Sequence, residues 1–94
     1  MASDLSRVEG VVHGRVQGVG FRAFARRWGQ ELGLRGYVRN EAGGTVRFVA
    51  EGPRDALERL LDALHVGTPH SRVQRIDEAW APPEERLSGF EIRR

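Results

Sequence analysis

Hydrophobic positions along the chain follow two spacings, one typical of helices and one typical of strands. The helical spacing of i, i+3, i+4 and i+7 occurs twice, and each stripe predicts an α-helix with one apolar face. The first stripe is Phe21, Phe24, Ala25, Trp28 and Leu32, and the second is Leu57, Leu60, Leu61 and Leu64. Gly33 follows the first stripe where a left-handed cap belongs, and Pro53 takes the first position of the second helix.

The other apolar segments have strand character, and they cover residues 7–14, 34–40, 45–51, 73–81 and 90–93. In the third segment Val46, Phe48 and Ala50 alternate with Arg47, Val49 and Glu51. The turn sequence Glu41-Ala42-Gly43-Gly44 predicts a hairpin between the second and third strands. Residues 1–6 are interpreted as a short flexible lead.

The order β-α-β-β-α-β, with a short final strand, predicts a single α+β domain over residues 1–94. Two helices with one apolar stripe each must cover one face of one sheet. The arrangement is the ferredoxin-like βαββαβ two-layer sandwich, with an antiparallel sheet and a short C-terminal fifth strand. The first and second strands then finish at the same end of the sheet. We therefore expect Asn40 to face the turn that follows the first strand, about 10 Å away across the third strand.

That turn, Gly14-Arg15-Val16-Gln17-Gly18-Val19-Gly20-Phe21-Arg22, predicts an anion site. Glycines accept the positive φ angles that aim several backbone N–H groups into one concavity. The N-terminus of the following helix adds its own N–H groups and positive dipole end. The guanidinium of Arg22 supplies a planar fork that matches two phosphate oxygens. The pattern favours a tetrahedral dianion such as a phosphoryl group.

Composition narrows the chemistry at this site. The chain has no Cys, which excludes thiolate catalysis and cysteine-based metal sites, and it has no Lys, which excludes a P-loop. Gly18-x-Gly20-x-x-Ala23 matches the degenerate dinucleotide pattern, but the chain is too short for the doubled unit. The three histidines show no metal-ligand spacing, and His13 is interpreted as a strand residue. No covalent nucleophile lies near the turn, which leaves water.

Charge and hydropathy set expectations about partners. All fifteen basic residues are Arg, which produces the pI of about 10.3 although the formal net charge is only +2. Arginines and acidic residues are interleaved, whereas a nucleic-acid binder normally shows a one-sided basic surplus. No apolar run approaches the roughly 20 residues that span a bilayer. We expect a cytoplasmic monomer with no nucleic-acid or membrane partner.

The run Val12-His13-Gly14-Arg15-Val16-Gln17-Gly18-Val19-Gly20-Phe21-Arg22 resembles the signature of the acylphosphatase family. Gly36-Tyr37-Val38-Arg39-Asn40 is similar to that family's second motif, in which Trp is commoner at the Tyr37 position. Further matches follow in family order at residues 43–46, 51–53 and 67–69. The main departure near the helix is Phe24, where Tyr is frequent.

The resemblance implies hydrolysis of the carboxyl–phosphate bond of acyl phosphates without a metal, a cofactor or a phosphoenzyme. Carried over by motif position, Arg22 and Asn40 are the catalytic residues. Arg22 binds the phosphoryl oxygens together with backbone amides of the loop residues, and Asn40 holds the attacking water. The loop residues are Arg15, Val16, Gln17, Gly18, Val19 and Gly20. The side chains of Arg15, Gln17 and Val19 are expected to tolerate substitution, and a substrate phosphate oxygen is expected to take the water's proton.

Other interpretations stay open at this stage. A non-catalytic ferredoxin-like module that binds phosphate or RNA is the alternative function, although an RNA-binding form needs aromatic residues side by side on the central strands. A domain of a larger carbamoyl-transferring enzyme is a further possibility. In the preferred interpretation the partners are an acyl phosphate substrate and inorganic phosphate, or another anion, in the loop.

Overall fold

The computed structural model describes residues 4–94, so residues 1–3 of the predicted flexible lead lie outside the described part. The elements are β1 (Leu5–Arg15), α1 (Phe21–Glu31), β2 (Arg35–Asn40), β3 (Val46–Pro53), α2 (Arg54–Val66), β4 (Arg72–Ala81) and β5 (Phe90–Arg93). Every predicted boundary agrees to within two residues. β1 begins at Leu5, which pairs with Pro53, so the last two residues of the expected lead belong to the sheet.

One five-stranded sheet has the order β4-β1-β3-β2-β5. The first four strands pair antiparallel, as the ferredoxin-like arrangement requires. β5 pairs parallel with β2, so the complete sheet is mixed rather than antiparallel throughout. β1, β2 and β5 therefore run in the same direction, and their C-terminal ends lie at the same end of the sheet.

The core lies between the helices and one face of the sheet. Val8, Val12, Phe48 and Ala50 from the central strands pack there against the leucine stripe of α2, all of whose members are buried. Hydrophobic burial of this kind stabilises by about 25 cal/mol per Å² of apolar surface removed from water. The sequence-predicted stripe of α2 is confirmed.

The stripe of α1 is rotated from the predicted one. Its buried residues are Phe21, Ala25 and Gly29, and the predicted core residue Trp28 is 37% exposed. The ring of Phe90 lies where a Cβ of Gly29 would be, so the absence of a side chain lets the helix approach β5. The prediction of Trp28 as a core residue is wrong because a glycine, invisible to a hydrophobicity pattern, occupies the contact face.

Residues 82–89 carry the chain from β4 at one edge of the sheet to β5 at the other. This crossing connection passes the centre of the sheet, where the carboxylate of Glu51 accepts hydrogen bonds from the backbone amides of Glu84 and Glu85. Arg7 on β1 donates to the same carboxylate at 2.8 Å. Glu51 is 0% exposed, which the simple alternation of β3 did not predict. β3 is the central strand, and the crossing connection covers its second face at Glu51.

Candidate active site

The loop between β1 and α1 is shaped by glycines at defined backbone angles. Gly18 and Gly20 have φ angles of 73° and 77°, in the left-handed region. A Cβ at either position would meet nothing within 4 Å, so the backbone conformation and not crowding is what favours glycine there. Gly14 differs, because a Cβ would collide with the Arg72 carbonyl oxygen at the irregularity between β1 and β4.

The backbone amides of this loop are available to a ligand. None of the N–H groups of residues 16–20 donates a hydrogen bond to another group within residues 4–94. Gly20 precedes the first turn of α1, which carries no acidic side chain. Buried or partly buried backbone donors are nearly always paired, so a group of free ones around a concavity marks a place for an acceptor.

A cavity of about 170 Å³ opens beside the loop, and it brings the two predicted catalytic residues together. Its lining is Val16, Gly18, Gly20, Phe21, Arg22, Ala23, Asn40 and Ile92. Arg22 is half-buried and makes no ion pair or side-chain hydrogen bond with any residue in the described range 4–94. Among the described residues, it is the only ionisable side chain that lines the cavity. The cavity is therefore electropositive and has no built-in counter-ion.

Asn40, the last residue of β2, contributes an unusual acceptor. Its Oδ1 is buried and has no hydrogen-bond partner in the part of the chain that the structure describes. An unpaired buried carbonyl oxygen costs about 1–3 kcal/mol, so its retention in the wall of an anion site points to a bound donor. Water and a protonated phosphate oxygen are donors of the right size.

The six predicted loop residues divide into two groups. Val16, Gly18 and Gly20 line the cavity, whereas Arg15, Gln17 and Val19 do not. Arg15 is exposed and lies by a separate depression lined by Pro69, His70, Ser71 and Arg72. Val19 packs on the core, and its carbonyl oxygen accepts a hydrogen bond from Thr68 Oγ1 at 3.0 Å.

Gln17 was expected to act through its backbone, but its side chain has a defined place. Its Nε2 donates to the carbonyl oxygens of Glu41 and Thr45, both at 2.8 Å. These carbonyls belong to the turn that follows Asn40. The expectation that this side chain tolerates substitution did not include these two tertiary hydrogen bonds.

Three further lining residues were missed by the sequence interpretation, and one of them, Phe21, was expected only in the apolar stripe of the first helix. Ala23 lies in the first turn of α1 and is recognisable in principle from its position after Arg22. Ile92 comes from β5, at the other end of the chain, and no local signal connects it to the loop. It reaches the cavity because β5 runs parallel to β2, which pairs Ile92 with Val38.

Carboxylates are held away from the cavity. Glu41, the neighbour of Asn40, accepts from Arg39 Nη2 at 3.2 Å and from Arg47 Nε at 3.1 Å. Arg47 lies on the sheet face opposite the helices, so the carboxylate is directed there, as the alternation of side chains along a strand predicts. Within residues 4–94, no acidic side chain lines the cavity to act as a general base.

The open face of the sheet does not resemble an RNA-binding surface. On the central strands it presents charged residues that pair with one another, including Arg7 with Glu9 and Arg47 with Glu9. Phe48, the aromatic residue of the third strand, is 1% exposed and points into the core. Base stacking needs exposed rings on these strands, so the arrangement does not favour the RNA-binding alternative.

The described residues show no group of three or more His, Cys, Asp or Glu side chains that could hold a metal ion. His13 lies on β1, as predicted, with its Nε2 at 2.8 Å from Asp77 Oδ2 on the neighbouring strand. Neither described helix is long and apolar enough to cross a membrane.

Together these features define a two-layer α+β sandwich that carries an anion-binding loop and a facing carboxamide at one end of its sheet. The acylphosphatase family model matches residues 8–92. An acylphosphatase of Salinibacter ruber is 49% identical over 88 residues, which covers 94% of this chain and 93% of the relative. An acylphosphatase of Nocardia farcinica is 49% identical over 92 residues, with 98% and 92% covered.

A solved structure agrees with the sequence relatives. The crystal structure of acylphosphatase from Bacillus subtilis superposes with a TM-score of 0.92 at 36% identity, and the match covers 95% of this chain and 99% of that chain. The chain belongs to the acylphosphatase family. The resemblance inferred from the sequence motifs and the ferredoxin-like fold are both confirmed.

Proposed function

We propose that this chain hydrolyses the carboxyl–phosphate bond of acyl phosphates to a carboxylate and inorganic phosphate, by direct attack of water and without a metal. One observation carries the proposal. A single cavity is bordered by unpaired loop amides, an arginine without an acidic partner and a buried unpaired acceptor on Asn40. Family membership supports the same reaction.

The phosphoryl group of the substrate binds in the loop. Its non-bridging oxygens accept hydrogen bonds from the amides of residues 16–20 and from the Arg22 guanidinium, which also neutralises their charge. In phosphoryl transfer the equatorial oxygens carry much of the transition-state charge, so these donors stabilise the transition state where it is most anionic. Donors fixed in place before the reaction need no reorganisation, which makes them more effective than water.

Asn40 orients the nucleophile. Its Oδ1 accepts a hydrogen bond from one O–H of a water molecule and so directs a lone pair of the water oxygen toward phosphorus. The water oxygen forms a bond to phosphorus as the bond to the carboxylate oxygen breaks, and the carboxylate leaves as an anion. Alignment of attacking and leaving oxygens is the main requirement of such a transfer.

One proton of the water stays on the attacking oxygen and the other goes to a non-bridging oxygen of the phosphoryl group, so the product leaves as dihydrogen phosphate. The absence of an acidic side chain from the described cavity lining supports this route. A carboxylate is a good leaving group, so the reaction needs no strong general acid. The substrate thus supplies the proton acceptor that the cavity lacks.

Arg22→Ala tests the binding half of the proposal. Charge-assisted hydrogen bonds contribute about 1.5–3 kcal/mol each. We therefore expect inorganic phosphate to bind at least tenfold more weakly to this variant, with a matching loss of benzoyl phosphate hydrolysis in excess chelator. Arg26→Ala, on the exposed face of the same helix, is the control. Wild-type phosphate affinity in Arg22→Ala, measured by titration calorimetry, contradicts the assigned site.

Asn40→Ala tests the water-holding half. Because Asn40 is assigned to the nucleophile, kcat should fall by about 10²-fold while the inhibition constant of phosphate stays near the wild-type value. A large loss of phosphate affinity instead assigns Asn40 to anion binding. A chain that binds phosphate tightly but hydrolyses no acyl phosphate supports the non-catalytic binding module.

We further propose that the chain works in the cytoplasm as a monomer. A sequence without cysteine suits a reducing compartment. Large exposed hydrophobic residues in the described part are confined to Trp28 and Val66, which is little apolar surface for a stable dimer. Sedimentation equilibrium of the purified protein tests the monomeric state directly.

A further inference from the structure

Gln17 connects the anion-binding loop to the β2–β3 turn, and its contacts are unusual for a loop side chain. It is half-buried, and one amide nitrogen donates to two backbone carbonyls, those of Glu41 and Thr45, both at 2.8 Å. Glu41 is the residue immediately after Asn40. The contact therefore joins the amides that would hold the phosphoryl group to the backbone that presents the Asn40 carboxamide.

The β2–β3 turn does not need Gln17 to close. Glu41 N donates to Thr45 O at 2.9 Å, and Gly44 N donates to Glu41 O at 3.3 Å. The two carbonyls thus already have partners inside the turn, and Gln17 adds a second donor to each. Its contribution is to the position of the turn relative to the loop, and not to the formation of either.

The loop is held on its other side by a different contact. Thr68 Oγ1 donates to the carbonyl oxygen of Val19, and residues 68–71 form their own compact turn through Ser71. That contact involves neither Asn40 nor its strand. Gln17 is therefore the described side chain that ties the loop to the Asn40 side of the cavity.

We propose that Gln17 is a positioning residue, which sets the separation between the bound phosphoryl group and the water held by Asn40. This inference rests on the proposed acyl phosphate hydrolysis. A misplacement of about 1 Å between reacting groups can cost about 10²-fold in rate, so a side chain that fixes this separation acts on kcat while leaving the anion contacts intact.

Gln17→Met is the direct test, since methionine keeps the length of the side chain and removes both hydrogen bonds. We expect kcat for benzoyl phosphate to fall about 10- to 100-fold, with the inhibition constant of inorganic phosphate within about threefold of wild type. Gln74→Met is the matched control because Gln74 is exposed on β4. An unchanged kcat in Gln17→Met overturns the inference, and so does a parallel loss of phosphate affinity.

A double-mutant cycle with Asn40→Ala distinguishes positioning from general destabilisation. If Gln17 acts through Asn40, then Gln17→Met should have little further effect once the Asn40 carboxamide is absent. The kcat of the double variant should then lie within about threefold of that of Asn40→Ala alone. Multiplicative losses from the two substitutions refute an action through Asn40. Urea unfolding of each variant confirms that the measured protein is folded.

A second measurement separates this inference from the proposed function. The side-chain NH₂ of Asn40 is followed by ¹⁵N-resolved NMR while inorganic phosphate is added to wild type and to Gln17→Met. Should wild type hydrolyse no acyl phosphate, the proposed function fails, and the spectra alone decide on Gln17. A phosphate-induced shift of Asn40 that is present in wild type and lost in Gln17→Met supports positioning. Equal shifts in both proteins overturn it. Gln17→Glu, which also removes the donor, serves if Gln17→Met does not fold.

Discussion

Glu51→Gln is the substitution with the clearest structural consequence outside the active site. The Glu51 carboxylate is wholly buried and accepts three hydrogen bonds. Its Oε2 accepts from Arg7 Nη1 at 2.8 Å and from Glu84 N at 2.9 Å, and its Oε1 accepts from Glu85 N at 3.0 Å. Glutamine has nearly the same shape but only one acceptor oxygen and no charge.

The expected loss of stability follows from these contacts. If the amide oxygen of the glutamine replaces Oε2, its NH₂ group faces the backbone N–H of Glu85, and that hydrogen bond is lost. In the other orientation the NH₂ group faces Arg7 and the backbone N–H of Glu84, and those two hydrogen bonds are lost. Hydrogen bonds to charged groups contribute about 1.5–3 kcal/mol, and removing one partner of a buried ion pair costs about 3–5 kcal/mol. Arg7 keeps Glu9 at 3.4 Å and Glu84 at 3.8 Å, which reduces the penalty. We expect the free energy of unfolding to fall by about 2–4 kcal/mol.

The pH dependence gives an independent check. Burial by itself raises the pKa of Glu51, but hydrogen bonds from Glu84 N, Arg7 and Glu85 N outweigh it, and the pKa lies below its ordinary value of 4.5. The ionised carboxylate therefore stabilises the fold above the unfolded-state pKa, and this contribution is lost as the pH falls through the lower folded-state pKa. The difference between wild type and Glu51→Gln should shrink as the pH drops below about 4.5.

Urea unfolding followed by circular dichroism measures both effects. At neutral pH the expected loss corresponds to a decrease in Tm on the order of 10–30 °C for a domain of this size. Glu58→Gln is the control, because Glu58 makes an exposed pair with Arg54 on the surface of α2 and should change stability by less than about 0.5 kcal/mol. A loss below about 1 kcal/mol for Glu51→Gln, or a difference that does not narrow in acid, refutes this reasoning.

Two further substitutions test the anion-binding loop. Gly18 and Gly33 have similar φ angles, 73° and 70°, and open space around a new Cβ, so alanine at either should cost about 1–2 kcal/mol of stability. Only Gly18→Ala should also weaken phosphate binding in calorimetry, and equal phosphate affinities in the two variants contradict the assigned loop. Thr68→Val removes the hydrogen bond to Val19, so phosphate should bind a few-fold more weakly and unfolding should become easier by about 0.5–1.5 kcal/mol. An unchanged phosphate dissociation constant shows that this contact does not order the loop.

Much of the fold is predictable because its boundaries are marked locally. Gly33 ends the first helix with a φ of 70°, as predicted, and Pro53 lies at the N-cap of the second helix, one residue before its predicted first position. The errors concern relations between distant elements. Trp28 fits the helical stripe, but the helix turns Gly29 toward Phe90 instead. Glu51 alternates with apolar residues like a surface residue, and only the crossing connection of residues 82–89 explains its burial.

The candidate site divides in the same way. The loop and Asn40 are recognisable because each forms a short motif at the end of a strand, and a two-layer topology brings those ends together. The parts that were missed act through contacts between distant segments. Gln17 makes its hydrogen bonds 24 and 28 residues away, and Ile92 enters the cavity from the last strand. A sequence pattern carries no information on such contacts, since many other polar or apolar residues have the same local surroundings.

Strand direction explains why these segments meet. The residues that line the cavity come from segments at the C-terminal ends of β1, β2 and β5. These strands all run in the same direction and finish at the same end of the sheet. β4 begins near the loop and finishes at the opposite end of the sheet. A tight turn after β4 would therefore place the last strand next to β4, away from Asn40. The crossing connection instead carries the chain to β2, where β5 can run parallel and bring Ile92 to the cavity. The buried carboxylate of Glu51 accepts hydrogen bonds from two backbone amides of that connection. It therefore stabilises the connection that places the last strand beside the site.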